Sequence, residues 1–233
     1  MRLGPAANDE GRRPRVAVVD DSSLTREAFH VVYPALEVVG SYSNVDAVLA
    51  AKPDADLIIL DLMLSPTLEQ WTLQGPRAIK ELSIRGYPVC VYTDERRFLV
   101  LAQCFSAGAR GLVRKVDQLA NNQAAFLRVA AGQIVVPPSM VGIAELMNRR
   151  RSLPMLTSRQ TEVLIARARG EGWDALSRRL GISAKTAQDH FQAVMSKMVL
   201  FIQEAGLGFS ASAADIERAL GLAPGDLNDP RGY

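Results

Sequence analysis

Residues 57–64 read LIILDLML, seven apolar side chains and a single acid, Asp61. A run this apolar belongs in a strand buried on both faces, as in a parallel sheet. An unpartnered carboxylate is heavily penalised in such a place, so the end of the strand must open into a polar pocket. The segments on either side support that strand. Residues 15–20 (RVAVVD), 36–42 (LEVVGSY), 88–93 (PVCVYT) and 111–115 (GLVRK) are further β-branched apolar runs. Helical spacing falls between and after them, in 22–34, 45–53, 76–86, 96–109 and 117–133. Five strands alternating with five helices predict an α/β unit, a doubly wound five-stranded parallel sheet covered on both faces.

In an open parallel sheet, ligand chemistry gathers at the carboxyl ends of the strands. Asp20 and Asp21 follow the first strand, Asp61 ends the third, Thr93 the fourth and Lys115 the fifth. Three carboxylates at one edge repel one another unless a cation intervenes. Mg²⁺ suits them, because it takes oxygen ligands and uses one or two carboxylates beside phosphate oxygens. A carboxylate so held can attack a phosphoryl group. Lys115 and the Thr93 hydroxyl would then bind the phosphoryl oxygens.

After Gly132 the pattern changes. A Pro-punctuated stretch (VVPPSM), a short helix over 141–148 and the polar RRRSLP form a linker, and helical patterns without strand signals follow. The resulting division is a disordered lead-in (1–14), an α/β domain (15–132), a linker (133–153), an all-α domain (154–222) and a tail (223–233). Net charge is +2 overall but uneven. Residues 1–148 hold 15 basic and 16 acidic side chains, whereas residues 149–200 hold 10 and 4. A basic second half points to a polyanion. The two cysteines read as core residues, no His/Cys cluster has metal-site spacing, and no apolar run is long enough to span a membrane, so a cytoplasmic protein is expected.

Within the helical half, Thr157 and Gln160 form a capping box and Gly170 and Gly172 break the chain before a second helix. Gly181 ends that helix and Ser183 caps a third, whose buried stripe is Ala187, Phe191, Val194 and Met198. Two helices joined by a short Gly-containing turn make a helix-turn-helix. The outer face of the third helix is expected to carry Lys185, Thr186, Gln188, Asp189 and Gln192. A Gln amide can pair with adenine in the major groove. Lys185, Thr186, Lys197, Arg178 and Arg179 can hold phosphates. Asp189 can accept from cytosine N4 or pair with a neighbouring Arg. The third helix is expected to run on to about Ala205. SASAADIERALGL (210–222) reads as a further helix, either dimerising or simply packing.

Residues 15–132 resemble the receiver domain of bacterial two-component response regulators. The resemblance rests on VVDDSSLTR, LDLML, VYTD and AGARGLVRK. It implies that Asp61 is the phosphoacceptor, that Asp21 and the Met63 carbonyl bind Mg²⁺ with Asp20 assisting, and that a sensor histidine kinase is the phosphodonor. Residues 156–198 resemble the helix-turn-helix of the NarL/LuxR group of these regulators. The carriers there are LTSR, EVL, the LGIS turn, Thr186 with His190, and Lys197-Met198. This implies a homodimeric DNA-binding transcriptional regulator, not an enzyme, working with double-stranded DNA and RNA polymerase.

Departures from the pattern are also specific. Asp94 follows the switch Thr where a small residue is usual, and Leu112 stands where the receiver family has an aromatic rotamer switch. The loop after Asp61 (SPTLEQWTLQGP) is long, with Leu64, Ser65 and Pro66 in place of the usual Met-Pro step. Trp173, Asp174 and Ala175 replace Asn-Lys-Glu, and Ala187 and Gln188 replace Val-Lys. They leave room for two other readings. One is a receiver that acts as a phosphorylation-independent interaction or ligand-sensing module. The other is a Mg²⁺-dependent phosphohydrolase, disfavoured because no second carboxylate lies two residues after Asp61.

Overall fold

The computed structural model describes residues 12–64, 73–149, 156–204 and 213–220. Residues 1–11 of the expected lead-in, 65–72 of the long loop, 150–155 of the expected linker and the expected tail lie outside the described residues. The chain forms two compact units. One comprises the chain through Glu95 together with Ala107–Val135, and the other Arg96–Ser106 together with the chain from Val136 onward.

The first unit contains five strands: β1 (Arg15–Val19), β2 (Glu37–Tyr42), β3 (Leu57–Leu60), β4 (Val89–Thr93) and β5 (Gly111–Arg114). All pairings are parallel and the order is β2-β1-β3-β4-β5, which puts the topological switch point, where the strand order reverses, between β1 and β3. Its helices are α1 (Ser23–Val32), α2 (Val45–Ala51), α3 (Gly75–Ile84) and α5 (Leu119–Ala130); α4 (Phe98–Ser106) lies in the other unit. Ser22 and Asn44 cap α1 and α2, each accepting from a backbone N–H three residues on. β3 stops at Leu60, shorter than the expected 57–64 run. The chain turns at Asp61, so Leu62 and Leu64 are buried while Met63 is exposed.

One sheet face buries Val16, Val18, Leu57, Ile59, Cys90, Tyr92 and Val113 with Phe29 of α1, Tyr33 at its C-terminal cap, and Phe126 and Val129 of α5. Four aromatic rings stack there, Phe29, Tyr33, Tyr92 and Phe126, mostly tilted or edge-to-face with centroids 4.7–6.2 Å apart. The Tyr33 and Tyr92 hydroxyls are 3.0 Å apart, and Asn122 Nδ2 donates to the Arg114 carbonyl at 3.2 Å. Those bonds satisfy polar groups that burial would otherwise penalise. The chain after α5 then returns to the sheet. Val135 bridges in parallel to Gly111, donating to the Arg110 carbonyl at 2.8 Å and covering the outer edge of β5.

The second unit holds α4, α6 (Pro138–Arg149), α7 (Ser158–Ala168), α8 (Trp173–Leu180), α9 (Ala184–Glu204) and α10 (Ala213–Leu220). α6 begins at Pro138, earlier than the expected 141–148, because proline's fixed φ and missing N–H suit a first helical turn. The capping box on α7 is formed in both directions, Gln160 N to Thr157 Oγ1 at 3.3 Å and Thr157 N to Gln160 Oε1 at 3.1 Å. Gly181 ends α8 with φ at +64°, a conformation that strongly favours glycine. Thr186 N donates to Ser183 Oγ at 2.9 Å, the expected cap of α9.

Gly111 admits no side chain: a Cβ there would sit 2.6 Å from Val129 Cγ2 and 2.7 Å from Cys90 Sγ. Gly111→Ala is therefore expected to lose about 1–3 kcal/mol by overpacking. Urea denaturation followed by circular dichroism measures this, and an unchanged midpoint would contradict the packing at β4–β5.

Candidate functional sites

Strand register assembles the acidic site. Val19 lies opposite Leu60 across β1–β3, so the next residues, Asp20 and Asp61, emerge side by side at the carboxyl edge. Thr93 lies opposite Arg114 across β4–β5, so Lys115 follows at the same edge. The ladder continues one step further, with Asp61 N donating to the Val19 carbonyl at 2.8 Å and Lys115 N to that of Thr93 at 3.1 Å. The five polar residues expected at this edge are thus all placed on it.

Lys115 Nζ is 2.7 Å from Asp20 Oδ2 and 2.7 Å from Asp61 Oδ2, a single ammonium bridging two buried carboxylates. Burial pulls the lysine pKa down most strongly, but hydrogen bonds to Asp20 and Asp61 together hold it above its ordinary value. The remaining carboxylate oxygens are also used. Ser22 N donates to Asp20 Oδ1 at 2.9 Å, and Met63 N to Asp61 Oδ1 at 3.2 Å. Thr93 is fully buried and its Oγ1 accepts from Glu95 N at 3.2 Å.

Asp21 is exposed, and ligand oxygens of Asp20, Asp21 and Asp61 lie within 4.8 Å of one another. An all-oxygen set of this size fits a hard divalent cation such as Mg²⁺. Arg26 was not singled out from sequence. Its guanidinium donates to the carbonyls of Asp20 and Asp21 at 2.6 and 2.9 Å, fixing the acidic turn. The available signal was an arginine one turn into α1 from the acidic pair.

In the helical unit the expected DNA-contacting residues divide. Lys185, Thr186, Asp189, Arg178 and Arg179 are exposed. Asp189 pairs with Lys185 at 3.4 Å rather than with an arginine. Arg179 is held bidentately by Glu171, at 3.0 and 2.7 Å, which keeps the Glu171 carboxyl below its usual range. Lys197 does not project outward as expected; its ammonium donates to Gln160 Oε1 at 2.9 Å, joining α9 to the cap of α7. Trp173, at a departure from the family pattern, stacks edge-on against Phe191 with centroids 5.7 Å apart, and Arg167 lies 4.3 Å above its ring.

Gln188 corrects the sequence expectation most clearly. Expected on an open outer face, it is 3% exposed, and Gln192 is half-buried. The buried Gln188 Oε1 and Gln192 Nε2 have no hydrogen-bond partner, and neither has Gln103 Oε1 on α4. Each such atom costs about 1–3 kcal/mol. The physical reason is that α9 has two packed faces. Besides the stripe of Ala187, Phe191, Val194 and Met198, it buries Gln188, Met195 and Val199.

Comparisons with known proteins agree with both halves. Residues 154–200 match the family model described as bacterial regulatory proteins, luxR family. The chain is 25% identical over 203 residues to the glycerol metabolism activator of Pseudomonas putida, covering 79% of this chain and 89% of that one. It is 26% identical over 196 residues to the nitrate/nitrite response regulator NarL of Escherichia coli, with the same coverage of 79% and 89%. Among solved structures, it shares the fold of RcsB in a complex of two RcsB dimers bound to two parallel DNAs. The TM-score is 0.52 at 18% identity, over 91% of this chain and all of that one.

The lysine bridge yields a prediction. Lys115→Met leaves Asp20 and Asp61 without their counter-charge, at a cost of about 1–3 kcal/mol given that the lysine is partly exposed. Urea denaturation should show a lower midpoint that millimolar Mg²⁺ restores more strongly than it raises the wild type. A midpoint insensitive to Mg²⁺ would contradict cation binding by the three aspartates.

Proposed function

We propose that phosphoryl transfer to Asp61 controls promoter binding through α9 in this chain, a transcriptional regulator of the NarL/LuxR response-regulator type rather than an enzyme. The observation that carries this reading is Lys115 held 2.7 Å from both Asp20 and Asp61 at the sheet's carboxyl edge. The pairing tethers a cation beside a buried carboxylate, where a phosphoryl group needs one. The functional division is a receiver over residues 15–132, a linker over 133–153 and a DNA-binding domain over 154–222.

In the transfer step, an Asp61 carboxylate oxygen attacks phosphorus of a phosphohistidine on a sensor kinase. The P–O bond forms, the P–N bond breaks, and its electron pair returns to the imidazole. Lys115 follows the charge, leaving its carboxylate bridge for the phosphoryl oxygens, and the Thr93 hydroxyl donates to another of them. Asp20, Asp21, Asp61 and the Met63 carbonyl would hold Mg²⁺, which when bound neutralises phosphoryl-oxygen charge.

On the output side, RcsB binds DNA as a dimer, and a homodimer reading paired half-sites is the matching proposal here. Lys185, Thr186 and Arg178 are exposed around the start of α9 and the end of α8 and would contact phosphates. Gln188 and Gln192 would read base edges, with RNA polymerase as the downstream partner. Arg179 and Lys197 would have to leave Glu171 and Gln160 to join them.

Incubation with a small acyl phosphate and Mg²⁺ should add the mass of one phosphoryl group, lost in Asp61→Asn. No adduct on the wild type would overturn the phosphoacceptor assignment. Lys185→Ala should weaken binding to every duplex and lower the slope of log affinity against log salt by about 0.9. An unchanged slope would remove Lys185 from the phosphate contacts.

A further inference from the structure

The buried stripe of α5 is Asn122, Phe126 and Val129, set at helical spacing. Phe126 and Val129 belong to the core against the sheet, but the first place in the stripe is taken by an amide that is 1% exposed. A leucine would fill that place without the penalty of burying a polar group. The reason for an asparagine there is what it holds. Its Nδ2 lies 3.2 Å from the Arg114 carbonyl oxygen, 3.4 Å from that of Asp117 and 3.5 Å from the Tyr33 hydroxyl. The amide hydrogens are shared among these acceptors.

The two carbonyls bracket Lys115. Asp117 N donates to the Arg114 carbonyl at 3.1 Å, closing a turn over Lys115 and Val116, and Lys115 N donates to the Thr93 carbonyl at 3.1 Å. Because Asn122 grips both ends of the turn, the main chain that carries the lysine is fixed on each side. The third acceptor extends the hold toward the ammonium. The Tyr33 and Tyr92 hydroxyls meet at 3.0 Å, and Lys115 Nζ lies over the Tyr92 ring, 5.7 Å from its centre. Burial first, and the bond with Tyr33 next, push the Tyr92 phenol above its ordinary pKa, so a neutral ring faces the cation. One amide thus reaches Lys115 by two routes, through the main chain and through the paired tyrosines.

We propose that Asn122 is a positioning residue for the Lys115 ammonium, clamping the 114–117 turn and, with Tyr33 and Tyr92, fixing the ring that the ammonium lies over. This rests on the reading of Lys115 as the cation that binds the transferred phosphoryl group, and names the side chains that aim it. A lysine carries its charge on a flexible stem, and confining that charge to one point costs conformational entropy. Fixing the main chain and the neighbouring ring in advance lowers that cost at the moment of transfer. It also leaves the stem as the moving part when the ammonium passes from the Asp20–Asp61 bridge to the phosphoryl oxygens. The hydrogen bonds of Asn122 run to the turn and to Tyr33, so its effect on transfer passes through Lys115.

The test compares the full wild-type chain with Asn122→Leu, which fills the stripe and donates nothing. The chain has five lysines, so isotopic labelling of lysine nitrogen gives few ammonium signals in a magnetic resonance spectrum, and the one missing from Lys115→Met belongs to Lys115. Held between two carboxylates, this ammonium should exchange slowly with water and give a sharp signal in the wild type. Asn122→Leu should lose that signal while its circular dichroism remains that of a folded chain. Transfer from a small acyl phosphate with Mg²⁺ should be about tenfold or more slower in Asn122→Leu, and adding Asn122→Leu to Lys115→Met should slow it no further. An unchanged Lys115 signal or an unchanged transfer rate in folded Asn122→Leu overturns the proposal. Losses that multiply in the double variant overturn it too, because they mark a structural role independent of the lysine. Asn122→Ser, whose hydroxyl is too short to hold both carbonyls, takes the same measurements should Asn122→Leu fail to fold. If the wild type takes up no phosphoryl group, the transfer reading fails, and the ammonium signal still decides the role of Asn122.

Discussion

Lys115 brings one ammonium to the point where two buried carboxylates meet, and much of the first unit is arranged around that meeting. The ammonium lies 2.7 Å from an oxygen of each and offsets the repulsion between Asp20 and Asp61. Their proximity is fixed by backbone register, because β1 and β3 pair Val19 with Leu60 and the next residue of each strand is the aspartate. Lys115 arrives by the same logic from β5, opposite the end of β4. The apolar strands thus determine the chemistry indirectly. A one-residue slip in any of the pairings would turn a pocket residue toward the other face of the sheet.

The second unit is built on a different compromise. α9 must bury enough surface to hold a small helical unit together and still keep a polar face available for a ligand. It buries two neighbouring stripes, one apolar and one carrying two glutamines. The apolar stripe, with Trp173 against Phe191 and Arg167 over Trp173, makes a permanent core. The stripe with glutamines is an incomplete burial, since its amides lack partners. Those unpartnered amides make the second stripe the more costly of the two to bury.

Much of this was legible in the sequence. The strand and helix order followed from periodicity, and the pocket from five polar residues at strand ends. The Thr157–Gln160 box and Gly181 located α7 and α8. What escaped were side-chain partnerships between segments distant in sequence, which no spacing rule encodes. Lys197 reads as a free basic residue on the α9 surface, but Gln160, 37 positions away, captures its ammonium. Arg179 is likewise taken by Glu171. Gln188 seemed outward-facing because the apolar stripe accounts for one face only. The second face, with Gln188, Met195 and Val199 buried, adds to that stripe two apolar positions interleaved with glutamines, a pattern no single helical period marks as buried.

The central claim is that events at Asp61 govern DNA binding by α9. It is tested most directly by titrating one duplex with the full chain, before and after treatment with a small acyl phosphate and Mg²⁺, beside Asp61→Asn treated identically. The account predicts that treatment strengthens binding by the wild type about tenfold and leaves Asp61→Asn unchanged. Equal affinity of the treated and untreated wild type, with the phosphoryl group present on Asp61, would contradict it.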